Sequence, residues 1–127
     1  MVPLYAAPGH EDVPPRLMAL STMNPEIAAH FFRRLAPRYD VRPQLGTIIS
    51  PTLVIVGRHD WVCQPAAGRA LAGAIPGACL VELPDAGHFG FSETPAPFLH
   101  AVHEYLAHFD AGSAIAEPQP LGSLRAA

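Results

Sequence analysis

The sequence lacks the features that mark several common functional classes. No uninterrupted apolar run reaches the length of about 18 residues that a membrane span needs, and the N-terminus lacks the basic-then-apolar pattern of a secretory signal. We therefore expect a cytoplasmic protein without a membrane partner. The 8 basic residues are outnumbered by 11 acidic ones, so the chain offers no basic surface for nucleic acid.

Cysteine is also scarce. Cys63 and Cys79 are the only cysteines, and they form neither a Cys-x-x-Cys motif nor a ligand cluster with nearby histidines. We expect buried free thiols, although the spacing alone leaves a disulfide open. His100 and His103 have a spacing that could bind a metal, but no third ligand is evident. The sequence therefore predicts no metal site and a solvated face for these histidines.

The chain has the composition of one globular domain, with 50% apolar and 15% charged residues. Four prolines among residues 1–15 disfavour a long helix or a central strand, so this segment is not expected to begin the fold. Residues 111–127 are small residues, proline and glycine, and predict a flexible tail.

The stretch 51–88 organises the rest of the chain. Residues 52–56 form a continuous apolar run after a threonine, and residues 79–83 form a second one. The segment between them starts a helix at Pro65 and stops it at Pro76-Gly77. Two strand-length runs separated by a helix predict a β-α-β unit with parallel strands.

Other helices are predicted from caps and apolar spacing. One covers about 16–22, a second runs from the N-cap Asn24 to a stop before Pro37, and a third is capped by Thr94. The residues expected to pack inward are Leu45, Ile48 and Ile49 in the connector, Ala66, Ala67, Ala70, Leu71, Ala74 and Ile75 in the central helix, and Phe98, Leu99, Val102, Tyr105, Leu106 and Phe109 in the last.

A carboxylate and an imidazole follow the two predicted strands. Asp60 comes just after the first strand and His88 just after the second. Because open α/β sheets place their chemistry at the carboxyl ends of the strands, we expect these side chains to meet as an acid–histidine pair. Such a pair can carry a proton between a nucleophile and a leaving group. Asp85 is a rival carboxylate, but it is expected to cap the turn.

Several motifs in order resemble the C-terminal part of the α/β-hydrolase fold over residues 45–108. They are the run from Pro51 to Val62, Ile-Pro-Gly-Ala at 75–78, and Gly-His-Phe-Gly-Phe-Ser-Glu-Thr-Pro at 87–95. The upstream residues Pro3-Leu4-Tyr5, Asn24-Pro25-Glu26 and Tyr39-Asp40-Val41-Arg42-Pro43 resemble the cap end of the proline iminopeptidase-like branch.

This resemblance implies an α/β architecture of two parallel strands with flanking helices. Residues 1–44 would be the remnant of a helical cap, 45–110 the C-terminal part of the hydrolase core, and 111–127 the tail. It also implies that Asp60 and His88 are the triad acid and histidine of an enzyme without a metal or organic cofactor.

The same resemblance implies a small-molecule ester or amide, or a short peptide, as substrate. Trp61, Phe89 and Phe32 are candidate substrate-binding residues. For each of them the alternative is packing: Trp61 around the acid loop, Phe89 against His88, and Phe32 in the core.

The sequence departs from the family at the nucleophile. A Gly-x-Ser-x-Gly elbow should precede the acid and the histidine, and this chain has neither that motif nor an oxyanion-hole loop of the His-Gly-Gly type. We therefore expect a fragment that is inactive alone. It should be marginally stable, self-associate, or bind a missing N-terminal half, because two strands leave two open edges. The alternative is a non-catalytic module that binds a partner through its open sheet edge.

Overall fold

The computed structural model describes residues 4–110, so the predicted tail at 111–127 lies outside it. Helices and strands alternate through the second half of this range, after a helical N-terminal part. The elements are α1 (Val13–Ala19), α2 (Pro25–His30), a π-helical turn (Phe31–Leu35), 3-10 turns (Ala36–Arg38 and Arg42–Thr47), β1 (Leu53–Gly57), α3 (Pro65–Ala74), β2 (Cys79–Leu83), α4 (Gly90–Glu93) and α5 (Pro95–Asp110).

The two strands form the predicted parallel pair. Their register runs from Leu53 opposite Cys79 to Gly57 opposite Leu83, and α3 provides the crossover. Burial increases toward the carboxyl ends of the strands, where Gly57 and Leu83 are buried while the starts are only half-buried. The best-protected end of the sheet is therefore the end where Asp60 and His88 follow.

The one charged residue in β2 is neutralised across the strands. Glu82 accepts hydrogen bonds from Arg58 Nε and from Arg69 Nη1, both at 3.0 Å. All three side chains are partly exposed, so we expect each ion pair to contribute little stability. Their effect is to place a carboxylate in an apolar strand without an unpaired charge.

Helix α3 packs on the sheet through a different face from the one predicted. Ala66, Ala70 and Ala74 are exposed and Gly68 is buried, while Ile75, the last residue of the predicted set, is buried as expected. A Cβ added at Gly68 would lie 3.1 Å from the Val56 side chain, so the missing side chain permits the close approach. The alanine stripe was the wrong choice because apolar spacing cannot distinguish it from a face shaped by glycine. Ala67 and Leu71 of the predicted stripe are exposed as well.

The N-terminal segment belongs to the folded core, contrary to the expectation for residues 1–15. Ala6, Ala7, Val13 and Pro14 are all buried. Pro14 lies in the first turn of α1, where a proline loses no helical hydrogen bond. The prolines therefore start α1 earlier than predicted instead of preventing a fold.

The second helical segment starts as predicted and ends later. The Oδ1 of Asn24 accepts hydrogen bonds from the backbone N–H of Glu26 and Ile27 at 3.0 and 3.2 Å. The chain then continues through the π-helical turn and a 3-10 turn to Arg38. Pro37 does not end it because this residue lies in the first turn of the 3-10 segment, where proline is tolerated.

The connector before β1 packs only in part as predicted. Leu45 is buried and Ile48 half-buried, but Ile49 is 97% exposed. Thr94 holds the position before α5: its carbonyl accepts the Phe98 N–H at 3.1 Å, and its hydroxyl donates to the Gly90 carbonyl at 3.2 Å.

The inner face of α5 differs only in part from the prediction. It carries Phe98, Ala101, Val102 and Tyr105, while Leu99 and Leu106 are exposed and the Phe109 side chain lies outside the described part. Among residues 4–110, no helix has both the length and the apolar character required to cross a bilayer.

Candidate active site

The structure brings Asp60 and His88 together at the carboxyl ends of the strands. Nδ1 of His88 lies 3.0 Å from Oδ2 of Asp60, and their side chains are 28% and 7% exposed. The loops that carry them are joined by a hydrogen bond from the His59 N–H to the Ala86 carbonyl at 2.9 Å. An ionised carboxylate only accepts hydrogen bonds, so Nδ1 carries the proton and Nε2 is left free to accept one.

Asp60 is held by the turn that follows it. Its Oδ1 accepts hydrogen bonds from the backbone N–H groups of Val62 and Cys63, both at 2.8 Å. One oxygen therefore binds the turn and the other faces the imidazole. A buried carboxylate with these partners is a fixed acceptor that orients the histidine ring.

Two glycines permit the close approach of the loops. A Cβ at Gly57 would lie 2.5 Å from the Ala86 carbonyl oxygen, and one at Gly87 would lie 2.7 Å from the Tyr5 carbonyl oxygen. Both distances are shorter than real Cβ contacts. The Gly-His motif therefore has a steric reason: the residue before His88 has no room for a side chain.

Glu93 is a site residue that the sequence reasoning missed. It is 5% exposed, and its Oε2 accepts the backbone N–H groups of Ala7 and Gly87, both at 2.8 Å. Its Oε1 accepts the N–H of Phe89 at 2.9 Å. The amides on both sides of His88 are thus bound to one buried carboxylate. The only sequence signal was its position in the 87–95 motif.

The N-terminal segment also contacts the histidine directly. The Tyr5 carbonyl accepts the His88 N–H at 2.8 Å. The Tyr5 ring lies edge-on to the imidazole, with centroids 5.6 Å apart, and stacks on Phe89 at 6.0 Å. Residues near the start of the chain therefore form one wall of the site.

The three candidate substrate-binding residues lie in different surroundings. Phe89 is half-buried, and its ring lies 5.1 Å from that of His88. Trp61 follows Asp60 and is 63% exposed. Phe32 is 68% exposed and packs edge-on against Phe31 at 5.3 Å. The packing alternative for Phe32 therefore fails, because its side chain faces outward from the core.

A separate cavity of about 630 Å³ lies in the second helical segment. Neither Asp60 nor His88 lines it. Its walls are His30, Phe31, Arg34, Leu35, Arg38 and Tyr39. The predicted cap therefore contains a concave surface, but Phe32 is not part of its lining.

Both cysteines are free thiols, and neither is fully buried. Cys63 is exposed, contrary to the expectation, because it ends the turn that wraps Asp60. Cys79 is half-buried in β2, and burial raises the pKa of its thiol. The fold also places Cys63 beside Asp60 and His88, although the sequence showed no ligand cluster around either cysteine.

The fold and the site match a known family. The model of the alpha/beta hydrolase fold family matches residues 3–95. The chain belongs to this family.

Individual relatives and a solved structure match parts of the chain. It is 41% identical over 71 residues to 3-oxoadipate enol-lactonase 2 from Acinetobacter baylyi, covering 56% of this chain and 26% of that protein. It is 36% identical over 67 residues to a pimeloyl-[acyl-carrier protein] methyl ester esterase from Chromobacterium violaceum, covering 53% and 26%. A solved Mycobacterium tuberculosis structure matches with a TM-score of 0.68 and 25% identity, covering 83% of this chain and 40% of that one. The alignments span about a quarter of the two curated relatives.

Proposed function

We propose that this chain supplies the acid and the histidine of a cytoplasmic, proline iminopeptidase-like serine hydrolase that acts on ester or amide bonds. The observation that supports this proposal is the 3.0 Å contact between His88 Nδ1 and a buried Asp60 carboxylate. Its place at the ends of parallel strands is where α/β folds hold their reacting groups.

In this proposal His88 is the general base. Its Nε2 accepts the proton of a serine hydroxyl, and the imidazolium that forms is stabilised by Asp60. The same nitrogen later protonates the leaving amine or alcohol. The serine comes from outside these 127 residues, because no Gly-x-Ser-x-Gly elbow occurs among them. The chain alone is then inactive and acts with the part of the hydrolase that holds the elbow.

The substrate is a small ester or amide, or a short peptide. The ring contact between Phe89 and the imidazole, and the position of Trp61 directly after Asp60 in the sequence, support a role for both residues in substrate contact. Phe32 would contribute from the second helical segment of the predicted cap.

The experiment is complementation. The chain is co-produced with an N-terminal segment of a family relative that carries the Gly-x-Ser-x-Gly serine, and turnover of p-nitrophenyl acetate and a prolyl-arylamide is measured. We expect no turnover by either part alone and turnover by the pair. His88→Gln should lower kcat/KM of the pair by about 10²–10⁴-fold, the usual contribution of a general base, and Asp60→Asn should cause a comparable loss.

The matched control is His100→Gln, which changes an exposed histidine of α5 and should leave turnover intact. Equal turnover by the pair with His88→Gln would contradict the assignment of the base. Turnover by the isolated chain that a serine reagent abolishes would show that the nucleophile lies within these residues after all.

A second candidate function is a non-catalytic module that binds a partner through its open sheet edge. The observation that favours it is that, within residues 4–110, each strand has a hydrogen-bonded neighbour on one side only. In that case the co-produced segment would co-purify with the chain, and the pair would show no turnover that depends on His88.

A further inference from the structure

The group of side chains around His88 contains a third potential metal ligand. Oxygen, sulfur and nitrogen atoms of Asp60, Cys63 and His88 all lie within 4.8 Å of one another. In sequence the thiol and the imidazole are 25 positions apart, so only the pairing of β1 with β2 brings them together. Among residues 4–110, it is the group in which at least three ligand side chains converge closely enough to hold a metal ion.

The distances between the ligand atoms of Asp60, Cys63 and His88 suit a small divalent cation that prefers sulfur and nitrogen ligands. Zinc binds thiolate sulfur at about 2.3 Å and imidazole nitrogen at about 2.0 Å, so two ligands of a tetrahedral ion lie about 3.5 Å apart. The His88 nitrogen and the Asp60 oxygen are already 3.0 Å apart. Cys63 is exposed, and rotation of its side chain can close the remaining distance.

We propose that Asp60, Cys63 and His88 form a binding site for a thiophilic divalent cation of the zinc type, with water completing the tetrahedral shell. The donor set of one thiolate, one imidazole and one carboxylate is of the kind that selects zinc over magnesium or calcium. The turn that follows Asp60 is ordered by the hydrogen bonds that Asp60 Oδ1 accepts from the backbone N–H groups of Val62 and Cys63, and the Cys63 sulfur lies within 4.8 Å of the other two ligand atoms.

Binding has a defined proton balance. The thiol releases one proton to solvent and becomes the thiolate ligand. The imidazole stays neutral: Nδ1 takes the metal, and its proton moves to Nε2. A protonated Nε2 on neutral imidazole cannot accept a proton from a nucleophile. The cation therefore blocks the base that the proposed hydrolase function needs, although binding itself requires no hydrolysis.

Two other places in the described chain carry potential metal ligands but lack a full set. His100 and His103 of α5 are both exposed and have no third ligand in the described part of the chain. Cys79 is half-buried in β2, and no histidine or carboxylate joins it in a metal-binding group among the described residues. Neither offers three converging donor atoms, so these residues serve as controls.

The test is a titration of the full chain with Zn²⁺ and, in parallel, with Co²⁺. We expect one bound ion per chain and a thiolate-to-cobalt charge-transfer absorption band. Cys63→Ser should weaken binding by about 100-fold and abolish the band, since a ligand contributes at least as much as its supporting contacts. His88→Gln should also weaken it, and Cys79→Ser should change nothing.

A second measurement needs no variant. Zn²⁺ should slow alkylation of Cys63 in the unmodified chain by about 10-fold when roughly nine-tenths of the chains hold the ion, because only the remaining chains present a free thiolate. The proposal would be overturned if Cys63→Ser bound the ion as tightly as the unmodified chain, or if a His100→Gln/His103→Gln variant lost binding. It would also be overturned if Zn²⁺ left the rate of Cys63 alkylation unchanged. Hydrolysis is measured in none of these assays, so their failure is independent of the proposed function.

Discussion

Replacement of Glu93 should disconnect the histidine loop from the rest of the fold. The buried carboxylate accepts three backbone N–H groups, those of Ala7, Gly87 and Phe89, at 2.8–2.9 Å. Glu93→Ala removes all three acceptors at once and leaves the donors in a poorly hydrated site. Because Gly87 and Phe89 flank His88, the imidazole should lose its fixed position relative to Asp60.

The magnitude follows from the hydrogen bonds. A hydrogen bond to a charged group contributes about 1.5–3 kcal/mol. Three such bonds would sum to about 5–9 kcal/mol, but water entering the vacated space will satisfy some donors. We therefore expect Glu93→Ala to lower the free energy of unfolding by about 3–5 kcal/mol, the range for breaking a buried charged contact. Glu93→Gln keeps one acceptor oxygen and should cost less.

The assay is urea unfolding monitored by circular dichroism, together with amide hydrogen exchange measured at Gly87 and Phe89. Glu104→Gln, an exposed glutamate of α5, is the matched control and should change the free energy of unfolding by no more than about 0.5 kcal/mol. If Glu93→Ala costs less than about 1 kcal/mol, the reasoning about three charged hydrogen bonds is refuted. Unchanged protection of the two amides would refute it equally.

Two further predictions concern the loop contact and the cap segment. Gly57→Ala should lower the free energy of unfolding by about 2–4 kcal/mol, because the added Cβ would lie 2.5 Å from a carbonyl oxygen of the histidine loop. The control in the same urea assay is Gly73→Ala, whose added Cβ would have no atom within 4 Å. The Arg42 side chain lowers the pKa of Asp40 to about 2. Any stability from this pair is thus present above the unfolded pKa of about 3.9 and is lost as the pH falls toward 2. A carboxyl NMR titration should report this low midpoint, and Arg42→Gln should raise it.

The pairing of Asp60 with His88 was accessible from sequence because it follows from two strong local signals. Each strand is a short apolar run, and each reacting side chain comes within a few residues of a strand end. Parallel pairing then leaves little choice about where the two side chains meet. The hydrolase family and its fold followed from motifs in the same stretch, and the family match over residues 3–95 confirms both.

The parts that sequence reasoning missed depend on contacts between distant segments. The bond from Ala7 to Glu93 joins residues 86 positions apart, and no periodicity in either segment indicates it. The predicted packing face of α3 was wrong for a related reason. The face that packs on the sheet is set by the absence of a side chain at Gly68, and a hydrophobic pattern contains only the side chains that are present. Cys63 likewise became a neighbour of His88 only through the sheet.

His88 is held by two carboxylates that act on different parts of the residue. Asp60 binds the ring, and Glu93 binds the backbone on both sides of it. All of these groups, and the Tyr5 carbonyl that accepts the His88 N–H, lie within residues 5–93. The contacts that hold the acid–histidine pair in the described chain therefore come from one continuous stretch of sequence. Under the proposed function, a partner that brings the serine would have to align its hydroxyl with Nε2 of an imidazole that these contacts already orient.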